Sequence, residues 1–179
     1  MSNIDDVLAF NREYVASGAY EVHLTDKYPD KKLAVLSCMD TRLSVLLQEA
    51  LGLKNGDAKV IKNAGAVIPT PWDSAMRSLI VAVYELGVNE IMVVAHSNCG
   101  ACHMSFRHLK EEMLKRGIEE CAMQCCPVDL NDWLEGFHDT KMSVRSTVSA
   151  ITGHPLIPKD IVVRGFIIDS VSGELTEVL

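Results

Sequence analysis

Apolar positions in this chain come in two alternating rhythms. Leu33-Ala34-Val35-Leu36 and Ile91-Met92-Val93-Val94-Ala95 are short unbroken runs of the kind found in strands buried on both faces, and strands are expected at 32–38, 59–62, 90–95 and 161–168. Between them, longer stretches repeat apolar residues every three to four positions, the period of a helix packed on one side. Strand alternating with helix predicts an α/β fold: a mostly parallel β-sheet flanked by helices, preceded by an N-terminal helical arm.

The first helix is expected over residues 3–16, where Ile4, Val7, Leu8, Ala9, Tyr14 and Val15 roughly keep the helical period. Ser2 or Asn3 can cap it, and Gly18 ends it. Residues 20–32 are polar and turn-rich and read as a loop or arm. Further helices are expected at 42–51, from Thr70-Pro71-Trp72-Asp73 to Leu86, from Cys99 or Gly100 to Lys115, and at 129–136 and 139–151. Residues 117–128 show no clear pattern. Ser172-Gly173 turns the last strand into an edge hairpin over 174–178. The face Met76, Leu79, Ile80, Val83 reads as core packing.

Length and charge narrow the picture. A chain of 179 residues can bury a sizeable core, and the expectation is a single domain over 1–179 with residues 1–32 as helix and arm. A net charge of −7 with no basic stripe excludes a nucleic-acid or anionic-membrane surface. The start, Met1-Ser2-Asn3-Ile4-Asp5-Asp6, lacks the apolar core of a signal peptide, and the apolar stretch 79–84 is too short to span a bilayer. A cytoplasmic protein is expected. In that setting the six cysteines suggest metal binding or buried thiols more than disulfides.

The chemistry concentrates at strand ends. Cys38-Met39-Asp40-Thr41-Arg42 follows the first run, and His96-Ser97-Asn98-Cys99 follows the third. If these runs are neighbouring parallel strands, Cys38, His96 and Cys99 converge where α/β sheets bind ligands. Two sulfurs and one nitrogen leave a fourth position open, the ligand count of a catalytic zinc. The plainer reading, two buried thiols and a core histidine, suits each residue alone better than it suits the set. Asp40 and Arg42, two apart, can form an oriented ion pair beside such a metal, or Asp40 can simply cap the next helix with Arg42 in solvent. Asn63-Ala64-Gly65-Ala66 offers backbone N–H groups that suit a small anion such as bicarbonate, or merely a tight turn. Cys102 reads as a thiol facing the core or pocket wall, and Cys121, Cys125 and Cys126 as free thiols. His108, His138 and His154 read as surface or capping residues.

Cys38-x-Asp40-x-Arg42 with His96-x-x-Cys99-Gly100 resembles the β-class carbonic anhydrases, in their compact prokaryotic branch. Lys62-Asn63-Ala64-Gly65, Val163-x-Gly165-x-x-x-Asp169 and Gly173-x-Leu175 extend the resemblance over nearly the whole chain. It implies Zn2+ held by Cys38, His96 and Cys99, with water or, in a closed state, Asp40 in the fourth position. It also implies an Asp40–Arg42 catalytic dyad, and reversible hydration of CO2 to bicarbonate and a proton by zinc-bound hydroxide. A homodimer or tetramer is implied, the N-terminal arm wrapping a partner. Thr41, Lys62 and Asn98 depart from the usual serine or alanine, arginine and aspartate; none removes a ligand. Two alternatives remain open: a carbonyl sulfide or carbon disulfide hydrolase on the same scaffold, and a non-catalytic zinc-binding regulatory protein.

Overall fold

The computed structural model describes residues 2–178. The elements run α1 (Asn3–Ser17), β1 (Leu33–Cys38), α2 (Leu43–Ala50), β2 (Ala58–Asn63), α3 (Ser74–Tyr84), β3 (Glu90–His96), α4 (Phe106–Lys115), α5 (Glu120–Gln124), α6 (Leu130–Leu134), α7 (Thr140–Thr152), β4 (Val162–Ile168) and β5 (Leu175–Glu177). The strands form one sheet in the order β2-β1-β3-β4-β5, parallel except for the last pair, which makes the expected hairpin. This is the α/β fold that the alternation of rhythms predicts.

The central strands are continuous apolar runs because both faces of the sheet are covered. Met76 and Leu79 of α3 and Val144, Val148 and Ile151 of α7 pack with Leu36, Ile91 and Val93 on one face. Leu43 and Leu47 of α2 pack with Val35, Val94 and Phe166 on the other. Each fully buried side chain of this size contributes about 1.5–3 kcal/mol. The one polar residue inside β1, Ser37, is satisfied by donating to the Val94 carbonyl at 3.0 Å, which ties β1 to β3.

Helix α1 is capped as its sequence suggests. The Ser2 hydroxyl accepts from the Asp5 N–H, the Asp5 carboxylate accepts from the Ser2 N–H, and Gly18 ends the helix at φ 72°. None of its residues is buried.

Three expectations need correction. The helix placed from Cys99 or Gly100 begins only at Phe106, capped by Ser105. Residues 99–104 bond instead to a neighbouring segment: His103 N–H donates to the Phe137 carbonyl and Gly136 N–H to the Met104 carbonyl, both at 2.8 Å. The helix placed from Thr70 begins at Ser74, because Asp73, not Thr70, supplies the cap by accepting from Met76 N–H at 2.7 Å. His154 is buried, not a surface residue: its Nε2 bonds the Pro71 carbonyl at 3.0 Å and its Nδ1 accepts from Leu156 N–H at 3.2 Å. Among the described residues, no helix is long and apolar enough to cross a membrane.

Strand β4 meets α7 at Gly165, where an added β-carbon would collide with the Val144 side chain and press on Val148. Gly165→Ala should therefore lower unfolding stability by about 1–3 kcal/mol through overpacking. Urea unfolding of the two proteins measures this, and an unchanged midpoint would contradict the packing described.

Candidate metal centre

The sheet order places a switch point between β1 and β3. From β1 the chain crosses to β2 on one side, and β3 lies on the other. Their parallel register pairs Leu36 with Val93 and Ser37 with Val94, so Cys38 and His96 end adjacent strands at the same edge. Cys99 then folds back from the loop after β3. The loop turns sharply because Asn98 adopts a left-handed conformation, φ 52°, which asparagine tolerates better than most residues.

The three expected ligands come together. The Cys38, His96 and Cys99 donor atoms all lie within 4.8 Å of one another, and all three residues are buried. The two sulfurs are 3.8 Å apart. Two thiolates on one tetrahedral zinc at about 2.3 Å would be separated by roughly 3.8 Å. His96 Nδ1 faces the Ser97 carbonyl at 2.9 Å, which fixes the proton on Nδ1 and leaves the Nε2 lone pair free. That Nε2 is buried and has no hydrogen-bond partner. A buried nitrogen without a partner is costly unless a ligand satisfies it, so the donor set fits a thiophilic, zinc-like ion.

Protonation at the centre is set by burial and by neighbours. Burial pushes the Cys38 thiol up, but the adjacent His96, the N–H groups of Gly65 and Asp40, and Cys99 together outweigh it and hold it at about 7. Burial pushes Cys99 up, and the neighbouring Cys38 adds to this. The Cys38 sulfur beside His96 raises the imidazole. The pair therefore holds one negative charge readily.

Asp40 lies next to this set, its Oδ2 3.7 Å from His96 Nε2. Arg42 grips it in a fork, Nε to Oδ1 at 2.9 Å and Nη2 to Oδ2 at 2.8 Å, and the Arg42 backbone N–H adds a third bond to Oδ1 at 2.9 Å. The guanidinium holds the Asp40 carboxyl far below the usual carboxylate range, so it is ionised throughout the neutral region. The capping alternative is met only in its turn geometry; Arg42 itself is not free in solvent.

Residues beyond the expected set support Arg42. Its Nη2 also donates to the Asn98 carbonyl at 2.8 Å, and its Nη1 to Ser170 Oγ at 3.2 Å. Ser170 N–H donates to Ser97 Oγ at 2.9 Å, and Ser97 Oγ donates to Asp169 Oδ2 at 3.1 Å. Asp169 is held at about 2 by the N–H groups of Ser172 and Val171 and by the Ser172 and Ser97 hydroxyls. Ser170 sits just past β4, so the strand-end rule that singled out Cys38 and His96 also points to it.

The Asn63–Ala66 turn supports the Cys38 sulfur. Asn63 braces the turn through Val67, and Gly65 N–H, at φ 91°, donates to Cys38 Sγ at 3.4 Å. Lys62 donates to the Leu43 carbonyl at 3.0 Å. Cys102 is half-buried against the Cys38–Cys99 cluster, and Cys121, Cys125 and Cys126 are exposed free thiols, as expected. Beside the centre lies a cavity of about 410 Å³ walled by Asn63, Ala64, Val67, Ala101, Trp133 and Phe137 among others.

Comparison with known proteins agrees with this geometry. A family model described as carbonic anhydrase matches residues 33–175. The Bacillus subtilis proteins named "Putative carbonic anhydrase YvdA" and "Putative carbonic anhydrase YtiB" are 41% and 43% identical, covering 100% and 98% of this chain and 92% and 95% of their own. The crystal structure of β-carbonic anhydrase isoform I from Trichomonas vaginalis superposes with a TM-score of 0.91 at 35% identity, over 100% of this chain and 98% of that one. A carbon disulfide hydrolase from Acidithiobacillus thiooxidans is 31% identical over 79% of this chain and 70% of its own length. By the family match, the identities and the shared fold, this chain belongs to the β-class carbonic anhydrase family.

Proposed function

We propose that the protein is a zinc-dependent carbonic anhydrase that interconverts CO2 and bicarbonate. The observation that carries this reading is one strand-end crevice containing both the Cys38–His96–Cys99 donor set and an ionised Asp40 locked by Arg42. Cys38, His96 and Cys99 would hold the ion, which supplies the Lewis acidity that makes water a nucleophile near neutral pH. Asp40 accepts a hydrogen bond from water in the crevice and so orients the lone pair that meets CO2. Arg42 keeps that acceptor charged and in place, while its own anchors on Asn98 and Ser170 keep the fork from swinging. Turned off Arg42, the Asp40 carboxylate could serve as a fourth donor to the ion and would close the site. The mainly apolar wall of the adjoining cavity suits a small uncharged substrate.

Carbonyl sulfide or carbon disulfide hydrolysis is the second reading, supported by the likeness to the Acidithiobacillus enzyme. It weighs less, because this chain matches 70% of that enzyme's length and 92% of YvdA's. Parallel assays with CO2, carbonyl sulfide and carbon disulfide separate the two.

The arm supports a dimer. Ile4, Val7, Leu8, Phe10 and Val15 of α1 are each more than half exposed, a face too apolar to be left in water by a stable monomer. We read it as packing against a second copy, with a tetramer as the larger assembly.

Asp40→Ala should lower CO2 hydration by roughly 100-fold or more at unchanged zinc content, measured by stopped flow. Arg42→Lys should lower it less and move the acid limb of the pH profile upward. The fork depresses the Asp40 pKa, so losing it lets Asp40 protonate at higher pH. A wild-type rate in Asp40→Ala would contradict the role given to Asp40, whereas no CO2 hydration by the zinc-loaded wild type would favour the non-catalytic regulatory reading. Val7→Asp combined with Phe10→Asp should halve the mass seen by light scattering, and an unchanged mass would contradict the arm's role.

A further inference from the structure

His103 and His138 lie outside the centre described above and take no part in it. Their rings face each other, with centroids 5.7 Å apart and planes inclined by 32°, and their Nδ1 atoms are 3.5 Å apart. Both side chains are exposed. The backbone brings them together. Cys102 and Phe137 form an isolated parallel bridge, and the His103 and Gly136 N–H groups bond across the same two segments. His103 is held at φ 65°, a left-handed conformation unfavourable for a residue with a β-carbon.

The separation of the two nitrogens discriminates between two explanations. A hydrogen bond donated by N–H has a donor–acceptor distance of about 2.7–3.2 Å, so 3.5 Å is long for one. Two imidazole nitrogens on one tetrahedral zinc, each at about 2.0–2.1 Å, would lie roughly 3.3–3.4 Å apart. The observed gap is close to the second value, so the two Nδ1 atoms are spaced to share one cation when neither carries the ring proton.

We propose that His103 and His138 form a second, exposed site for a divalent transition metal of the zinc class, bound through both Nδ1 atoms with water completing the coordination. Imidazole suits Zn2+ and Ni2+ and disfavours Mg2+ and Ca2+. An ion there clamps residues 102–104 to 136–138. Met104, Gly136 and Phe137 of these segments wall the cavity beside the buried centre, so occupancy stiffens that wall.

The test uses the full-length, zinc-loaded protein carrying Cys121→Ser, Cys125→Ser and Cys126→Ser, since those exposed thiols would also take zinc. After exhaustive dialysis it is titrated with Zn2+ and followed by imidazole nitrogen NMR. One further equivalent should bind and shift the Nδ1 signals of His103 and His138, leaving His96 Nε2 unmoved. His103→Gln and His138→Gln should each weaken that equivalent by roughly tenfold or more without changing the far-UV spectrum. No further equivalent, or one that leaves both Nδ1 signals in place, overturns the proposal. The His96 signal reports the buried centre separately, so failure of one site is not mistaken for failure of the other.

Discussion

The register between β1 and β3 is the constraint on which everything else depends. Ser37 opposite Val94 sets Cys38 and His96 side by side at the end of the sheet, and only then can Cys99 close the triangle. A slip of one residue would turn every side chain of a strand to the other face. It would put a sulfur or a ring where the core requires an aliphatic side chain. The register is fixed by burial on both faces, with Leu36 and Val93 facing one helix layer and Val35 and Val94 the other. The Ser37 hydroxyl adds a bond across the same pair of strands. The site is thus a consequence of core packing and needs no separate ordering.

Electrostatics then divides labour between two carefully separated anions. The Cys38 thiolate is stabilised by Gly65 N–H and His96, inside a cluster walled by Leu43, Ala101 and Phe166. Asp40 is only partly buried, and its charge is neutralised by Arg42 instead of by the sulfur side of the crevice. Moving Asp40 toward the sulfurs gives up two charge-assisted hydrogen bonds, which solvent weakens because the guanidinium is exposed. In the proposed reading, opening and closing of the site would be a contest between Arg42 and the bound ion for one carboxylate. Asn98 and Ser170 bias it by holding Arg42 still.

Much of this was legible in the sequence. The unbroken apolar runs announced strands covered on both faces, and the residues just past their ends announced the crevice. Cys38, His96, Cys99, Asp40 and Arg42 all stood at those ends. What stayed hidden is what tertiary hydrogen bonding decides. The helix expected from Cys99 starts seven residues later, because residues 99–104 spend their backbone bonds on 136–137. His154 looked like a surface residue in a proline-flanked connector, yet it is buried and bonds the backbone at Pro71 and Leu156. The His103–His138 pair joins positions 35 residues apart through one isolated bridge, and no periodicity reports that. Ser170 and the Asn98 carbonyl support Arg42 through contacts that only the closed sheet creates.

X-ray absorption at the zinc edge, on exhaustively dialysed protein of measured metal content, tests the central claim most directly. The account predicts about one zinc per chain, with two sulfur scatterers near 2.3 Å and one imidazole nitrogen near 2.0–2.1 Å. A protein without stoichiometric zinc, or a zinc surrounded by four sulfurs, would contradict it.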